Sequence, residues 1–347
     1  MMNQRTSVSK FNFRGFCSTG EVEREVMEYD VVIVGAGPAG LSTAIRLMQL
    51  NQGKDKEVSV CVLEKGSVVG AHILSGNCFK PKALDELLPD WKDDESCPLN
   101  TKVTEDRFSI LFKNRSISIP QMFLPKSIKN HGNYVCGLGE IVEWMGEKAE
   151  DIGVDVIPGF AADKIFYNED GSVGGVITND FGVAKDGSQK DTYTPGIIIK
   201  GKQVVLSEGC RGSLSQHLIN KYDLDKDVVN KQQYGIGLKE VWEVDNKEFK
   251  AGLVNHTVNW PIGYKDYSGT FMYHVKPNRI HVGMVVGLDY KDPYLNPYEE
   301  FQMFKTHPSI KKYFENGECI AYGARALNEG GYHSLPKLTF KGGMLTG

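Results

Sequence analysis

No run of about eighteen apolar residues occurs anywhere in the 347-residue sequence, so no segment reads as a membrane-crossing helix. Any attachment to a bilayer is expected to be peripheral or monotopic. Positive charge is not in surplus either: 40 Lys and Arg against 44 Asp and Glu leave a net charge of -4, which argues against a nucleic-acid partner. Paired cysteine spacing is also missing. Cys17, Cys61, Cys78, Cys97, Cys136, Cys210 and Cys319 are odd in number and never form C-x-x-C, which excludes a disulfide framework, a zinc site or an iron-sulfur ligand set as expectations. The histidines His131, His256, His274, His281, His307 and His333 show no metal spacing, and no G-x-S-x-G elbow points to a hydrolase. Acids are absent before Glu21, whereas Arg5, Lys10 and Arg14 and five Ser or Thr residues fall within residues 1–20. That acid-poor segment reads as a mitochondrial transit peptide.

What is present is an ordinary globular composition, 41% hydrophobic and 24% charged, in a chain long enough for two domains. Tyr29 to Val34 reads as a buried strand, followed by a glycine cluster and a helix with Ala44, Leu47, Met48 and Leu50 as its apolar stripe. Val58 to Leu63 then gives a second strand and completes a βαβ unit. Amphipathic helices are expected over Pro81–Trp91 and Gly139–Ile152, a hairpin around Asn168–Gly171, and another parallel strand at Gln203–Ser207. Two prolines in Ile117–Pro125 argue against a central strand there. From Tyr234 onward the texture becomes alternating β, which implies a second, mainly antiparallel domain. Arg325 and Glu329 have the spacing of a helical ion pair.

The densest chemical signal is Val34-Gly35-Ala36-Gly37-Pro38-Ala39-Gly40, a G-x-G-x-x-G turn between strand and helix. Gly35 permits the tight turn, Gly37 admits a pyrophosphate to the backbone, and Gly40 lets helix and strand approach. Glu64 closes the next strand, where its carboxylate can accept ribose hydroxyls and disfavours a 2′-phosphate. Either FAD or NAD satisfies this fingerprint. A later strand ending at Ser207-Glu208-Gly209-Cys210 is similar to the second part of the split FAD site in glutathione-reductase-like flavoproteins, and favours FAD.

Six further segments carry a more specific resemblance: Gly70–Gly76, Val103–Phe108, Asn130–Tyr134, Tyr234–Glu240, His256–Val258 and Gly323–Gly331. Together and in this order they resemble the electron transfer flavoprotein-ubiquinone oxidoreductase family. The resemblance implies FAD as cofactor, reduced electron transfer flavoprotein as donor, ubiquinone as acceptor, and monotopic attachment to the matrix side of the mitochondrial inner membrane. It also implies quinone contact by backbone at Ser268 and Gly269, and a membrane-facing segment at about 69–90 carrying Val69, Ile73, Leu74, Phe79, Leu84, Leu87 and Leu88. Met122-Phe123-Leu124 is a second candidate for that apolar surface. The family's [4Fe-4S] cluster is expected only in the complete form, since its cysteine ligands are absent from this sequence. Gly137 stands where the resemblance suggests arginine, and Ser207 where it suggests alanine.

The resulting expectation is an α/β flavoprotein with a transit peptide at 1–20, an FAD-binding domain at 21–233, a ubiquinone-binding domain at 234–330, and the start of a return to the FAD domain at 331–347. The rivals are an FAD hydroxylase or isoprenoid reductase driven by NAD(P)H, and a non-catalytic fragment. Residues 1–20 fused to a fluorescent reporter are expected to direct it into mitochondria; a cytosolic reporter beside a working control presequence would contradict the transit-peptide reading.

Overall fold

Uninterrupted apolar runs demand burial on both sides, and the first sheet is built from them. Val32, Ile33, Val60 to Leu63 and Val204 to Leu206 are all buried, as strands covered on both faces require. The computed structural model describes residues 23–347 in full and the backbone of Phe13–Ser18; residues 1–12 and 19–22, most of the expected transit peptide, lie outside the described residues.

Two units share the chain. The first comprises the residues up to Val69, Met145–Asp227 and Pro336–Gly347. Its sheet runs in the order Ala162–Tyr167, Val173–Thr178, Ile198–Leu206, Glu23–Val34, Val60–Glu64, Asp155–Pro158. The last four are mutually parallel, while the Ala162–Thr178 hairpin adds antiparallel strands at one side. Gly343–Leu345 also lies parallel to Val204–Leu206, and Phe13–Ser18 pairs antiparallel with the start of Glu23–Val34. The helix Pro38–Asn51 buries Leu41, Ala44 and Ile45. Its apolar stripe is therefore shifted from the expected one, and Leu50 is exposed.

The second unit comprises Gly70–Trp144 and Val228–Leu335. Seven strands lie in the order Gly317–Asn328, Tyr234–Val244, Arg279–Gly287, Ser268–Val275, Leu253–Asn259, Glu105–Phe112, Arg115–Ser118. All neighbours are antiparallel except Leu253–Asn259 with Glu105–Phe112. Gly76–Phe79, Tyr134–Gly137 and Thr101–Lys102 form a smaller sheet. The helix Pro297–Lys305 is capped by Asn296, whose side chain accepts from the Tyr298 amide, and it buries Phe301 and Phe304 among Met272, Ile280, Val282, Met284 and Val286. Lys305 Nζ lies 2.6 Å from Glu240 Oε2 in an ion pair that is nearly removed from solvent.

Three sequence expectations change. The domain boundary at 233/234 is too simple, because Glu105–Phe112 docks beside Leu253–Asn259 and brings residues 70–144 into the second unit. Pro81–Trp91 is a short helix at Lys82–Leu87 followed by a 3-10 turn at Pro89–Lys92; Leu88, preceding proline, leaves helical geometry at φ -134°, ψ 74°. Arg325 sits in the Gly317–Asn328 strand, so its spacing to Glu329 is not helical.

Two buried histidines give the second unit an acid-sensitive core. Burial pushes His274 and His281 down to about 4, with the positive charges of Arg107 and Arg279 adding to the effect on each in turn. The folded pKa lies below the unfolded value of about 6.5, so the unfolded chain binds more protons between these limits. This contribution is complete above about pH 6.5 and is lost as pH falls toward 4. Denaturant titrations are expected to show stability falling by about 2 kcal/mol per histidine between about pH 7.5 and 5. In His281→Leu this pH dependence should shrink by about half; an unchanged dependence would show that His281 does not contribute.

Candidate dinucleotide and quinone sites

The turn after Val34 separates three glycines by what surrounds them. Gly35 has φ +104°, and a Cβ there would lie 2.4 Å from the Ser207 carbonyl oxygen. A Cβ on Gly40 would lie 2.0 Å from the Gly35 carbonyl oxygen. Both positions are closed by the protein itself. Gly37 differs: its backbone is extended at φ -81°, ψ -177°, and a Cβ would meet nothing within 4 Å. Nothing among the described residues forbids a Cβ at this position, so the open space beside it suits a ligand that approaches the backbone.

The helix that starts at Pro38 has no side-chain cap and no acid in its first turn, leaving its N-terminal amides and positive dipole end available to an anion. Ala36 is buried, and its amide donates to Glu64 Oε2 at 3.1 Å. Glu64 Oε1 accepts from the Gly66 amide at 2.8 Å. These bonds fix the carboxylate beside the turn and leave lone pairs for hydroxyl donors. The geometry fits a dinucleotide, with pyrophosphate at Gly37 and the helix start and ribose at Glu64.

The Glu208 carboxylate is engaged within the protein. Its Oε2 accepts from the Ser215 amide and hydroxyl, each at 2.7 Å, and its Oε1 accepts from the Leu214 amide at 3.3 Å. The carboxylate caps the helix Ser213–Lys221, so its demonstrated work is to hold the loop, while Gly209 turns the chain at φ +79°. The Ser207 hydroxyl is buried and has no partner among the described residues. It sits next to Gly35, whose Cβ position the Ser207 backbone closes. An orphaned polar atom at this junction is a further feature that suits a polar ligand.

On the second unit's large sheet, register assigns side chains to faces. One row crosses Arg325, Gly237, Val285 and Gly269; the next crosses Gly323, Lys239, Gly283, Phe271, His256 and Phe108. Glycines thus recur on the face opposite the Phe301 and Phe304 core. Gly269 belongs to this face and Ser268, one residue earlier, to the other, so contact by both would have to involve backbone. Lys239 donates to Ser75 Oγ at 3.0 Å, and burial, then Arg325, lower its pKa. Arg325 in turn donates to the His72 carbonyl at 2.7 Å. His256 Nε2 and Tyr273 Oη lie 2.9 Å apart; burial lowers the histidine pKa and raises that of the tyrosine. Of these glycines Gly283 is covered by the Phe271 ring, 2.4 Å from where its Cβ would lie, whereas a Cβ on Gly269 would meet nothing nearer than 3.6 Å. The period-two spacing of Gly235, Gly237 and Lys239 already puts these three on one face in the sequence, whereas His256 joins them only through strand register.

The apolar segment at about 69–90 is less open than expected: Leu84 is buried, and Val69, Ile73, Leu74, Phe79, Leu87 and Leu88 are half-buried. By contrast, Met122 is 78% exposed and Phe123 73%, with Ile117 and Ile128 also exposed. Met122 and Phe123 do not form a buried loop.

Family models match both regions of the chain. Residues 29–133 match the pyridine nucleotide-disulphide oxidoreductase family, and residues 234–327 match the family described as ETF-QO, ubiquinone-binding. The electron transfer flavoprotein-ubiquinone oxidoreductase of Rattus norvegicus is 53% identical over 94% of this chain and 53% of its own length. The corresponding protein of Oryza sativa subsp. japonica is 50% identical over 93% of this chain and 56% of its own, and that of Dictyostelium discoideum 48% over 99% and 56%. The chain therefore spans about half the length of the curated relatives it matches. Among solved structures, a geranylgeranyl bacteriochlorophyll reductase-like protein from Thermoplasma acidophilum has a TM-score of 0.66 at 16% identity, covering 92% of this chain and 70% of that one. A flavin-dependent brominase gives 0.59 at 16%, with 92% and 71% covered, so the fold is that of FAD-dependent enzymes. With about half its residues identical to these relatives over nearly its whole length, the chain belongs to the electron transfer flavoprotein-ubiquinone oxidoreductase family.

Proposed function

We propose that the protein passes electrons from reduced electron transfer flavoprotein to ubiquinone, with FAD held at the Gly35–Gly40 turn. The observation that carries this reading is the open space at Gly37 between two glycines closed by their own surroundings, in a chain whose second sheet matches a ubiquinone-binding family. Bound FAD would supply reversible redox chemistry. Gly37 and the helix start at Pro38 bind its pyrophosphate, and Glu64 orients its ribose. The Glu208–Gly209 loop, braced by the Glu208 cap, offers backbone to the cofactor. Ser268 and Gly269 present backbone to the quinone, while Lys239 stabilises negative charge on the glycine-bearing face. No three His, Cys, Asp or Glu side chains converge among the described residues to hold a metal ion, and the [4Fe-4S] cluster of the family is given no role here. By its relatives' designation the protein works in mitochondria, and we place it on the matrix side of the inner membrane, attached monotopically through apolar surface that includes Met122 and Phe123.

The structural neighbours include a ternary complex of aklavinone-11 hydroxylase with FAD and aklavinone, which keeps a hydroxylase-like reading in view as a test. Stopped-flow absorbance of the FAD-loaded protein is expected to show reduction by reduced electron transfer flavoprotein and negligible reduction by NADH or NADPH; rapid reduction by either nicotinamide would reverse the assignment. The glycines separate ligand binding from folding. Gly37→Val should leave the thermal midpoint nearly unchanged yet weaken FAD binding at least about tenfold, measured by flavin fluorescence. Gly40→Ala should lose about 3 kcal/mol or more of stability through its backbone clash. Normal FAD affinity in folded Gly37→Val would remove the pyrophosphate from this turn.

A further inference from the structure

The exposed apolar loop after Arg115–Ser118 lies in the longest stretch of the sequence without an acidic residue. No Asp or Glu occurs between Asp106 and Glu140, although the chain as a whole carries more acids than bases. Within that stretch stand Lys113, Arg115, Lys126 and Lys129, of which the first three are exposed and the fourth half-exposed. None of the four makes an ion pair among the described residues; Arg115 lies over the Phe112 ring at 5.1 Å instead.

The loop is fastened at both ends to one strand. The Ile119 amide donates to the Phe108 carbonyl at 2.8 Å, and Gln121 Nε2 donates to the Asp106 carbonyl at 2.8 Å. On the return, the Asn130 amide and side chain donate to the two Asp106 carboxylate oxygens at 2.8 and 3.2 Å. Between these ties, 3-10 turns at Gln121–Phe123 and Lys126–Ile128 follow Pro120 and Pro125 in turn. Met122 and Phe123 are consequently held out on a braced tip. Asp106, which opens the acid-free stretch, is committed to bracing the loop and makes no ion pair with the four basic residues.

We propose that this loop recognises anionic lipid headgroups: Met122 and Phe123 enter the acyl boundary while Lys113, Arg115, Lys126 and Lys129 contact negative headgroups around them. The proposal rests on the membrane attachment put forward above and adds lipid selectivity to it. Charge complementarity decides the occupant. A neutral protein surface or a second copy would satisfy the apolar tip but leave the basic residues unanswered, whereas an anionic bilayer satisfies both. Each basic residue close to such a surface is worth about a fivefold gain in partitioning, and the gain is screened by salt.

The test is flotation of the full chain with phosphatidylcholine vesicles, with and without phosphatidylglycerol, at low and high salt. Binding to the phosphatidylglycerol vesicles at low salt should exceed binding to pure phosphatidylcholine at least about tenfold, and high salt should remove the difference. The combined variant Lys113→Gln, Arg115→Gln, Lys126→Gln, Lys129→Gln should lose at least about tenfold of the unsubstituted chain's preference for the phosphatidylglycerol vesicles; an unchanged preference would overturn the proposal. Because this variant retains Arg5, Lys10 and Arg14, any contribution from the basic N-terminus is common to both proteins. Met122→Ser with Phe123→Ser should weaken binding to both vesicles, with the far-UV circular dichroism of each variant unchanged. Equal partitioning of the unsubstituted chain onto neutral and anionic vesicles would overturn the headgroup proposal and leave the membrane reading standing. Failure to bind either vesicle would remove both. A concentration-dependent dimer in sedimentation velocity that Met122→Ser and Phe123→Ser abolish would overturn the proposal in favour of self-association.

Discussion

The parallel pairing of Ile198–Leu206 with Glu23–Val34 is the constraint on which the first unit depends. It draws together residues far apart in sequence and places the Ser207 carbonyl where a Gly35 side chain would have to be. The turn is then forced to glycine, the helix from Pro38 is forced close to the strand, and Gly40 is forced in turn. The ligand-facing position is the one member of the motif that this packing leaves free. A glycine motif is usually read as one unit; here its parts are under different pressures, two from the protein and one from what it holds.

In the second unit the corresponding constraint is the twofold alternation of strand side chains. The same strands bury Met272, Val282 and Met284 against the Pro297–Lys305 helix and turn Gly237, Gly269 and Gly283 to the other face. A helix-backed sheet gives that face a rigid base, so a flat ligand could be positioned by main chain and a few charges instead of by mobile side chains. His281 belongs to this face too, and neither of its ring nitrogens has a partner among the described residues.

Local features were the most legible in the sequence. The Val31–Val34 run, the glycine turn and Glu64 needed only neighbouring residues to be read, and the structure puts them together. The Ala162–Tyr167 and Val173–Thr178 hairpin was equally local, because its turn residues sit between its strands. What escaped was nonlocal. Glu105–Phe112 has no feature of its own that assigns it to a strand pair with Leu253–Asn259, so its place in the second unit is not legible in the sequence. That the Glu208 carboxylate accepts from the start of the next helix is likewise visible only once the course of that helix is known. Arg325 illustrates the same limit: a spacing of four means a shared face only after the element is known to be a helix, and it is a strand.

The order in which the two units are assembled along the chain has a consequence for synthesis. Every strand of the second unit has been made by Asn328, whereas the first unit still lacks Gly343–Leu345, which pairs beside Val204–Leu206. A growing chain thus holds its earliest strands with part of their sheet edge unpaired while the whole second unit is translated and becomes able to fold. Until Gly343–Leu345 is made, Val204–Leu206 keeps one side unpaired, although the earlier part of the same strand, Ile198–Lys200, is already flanked by Val173–Thr178.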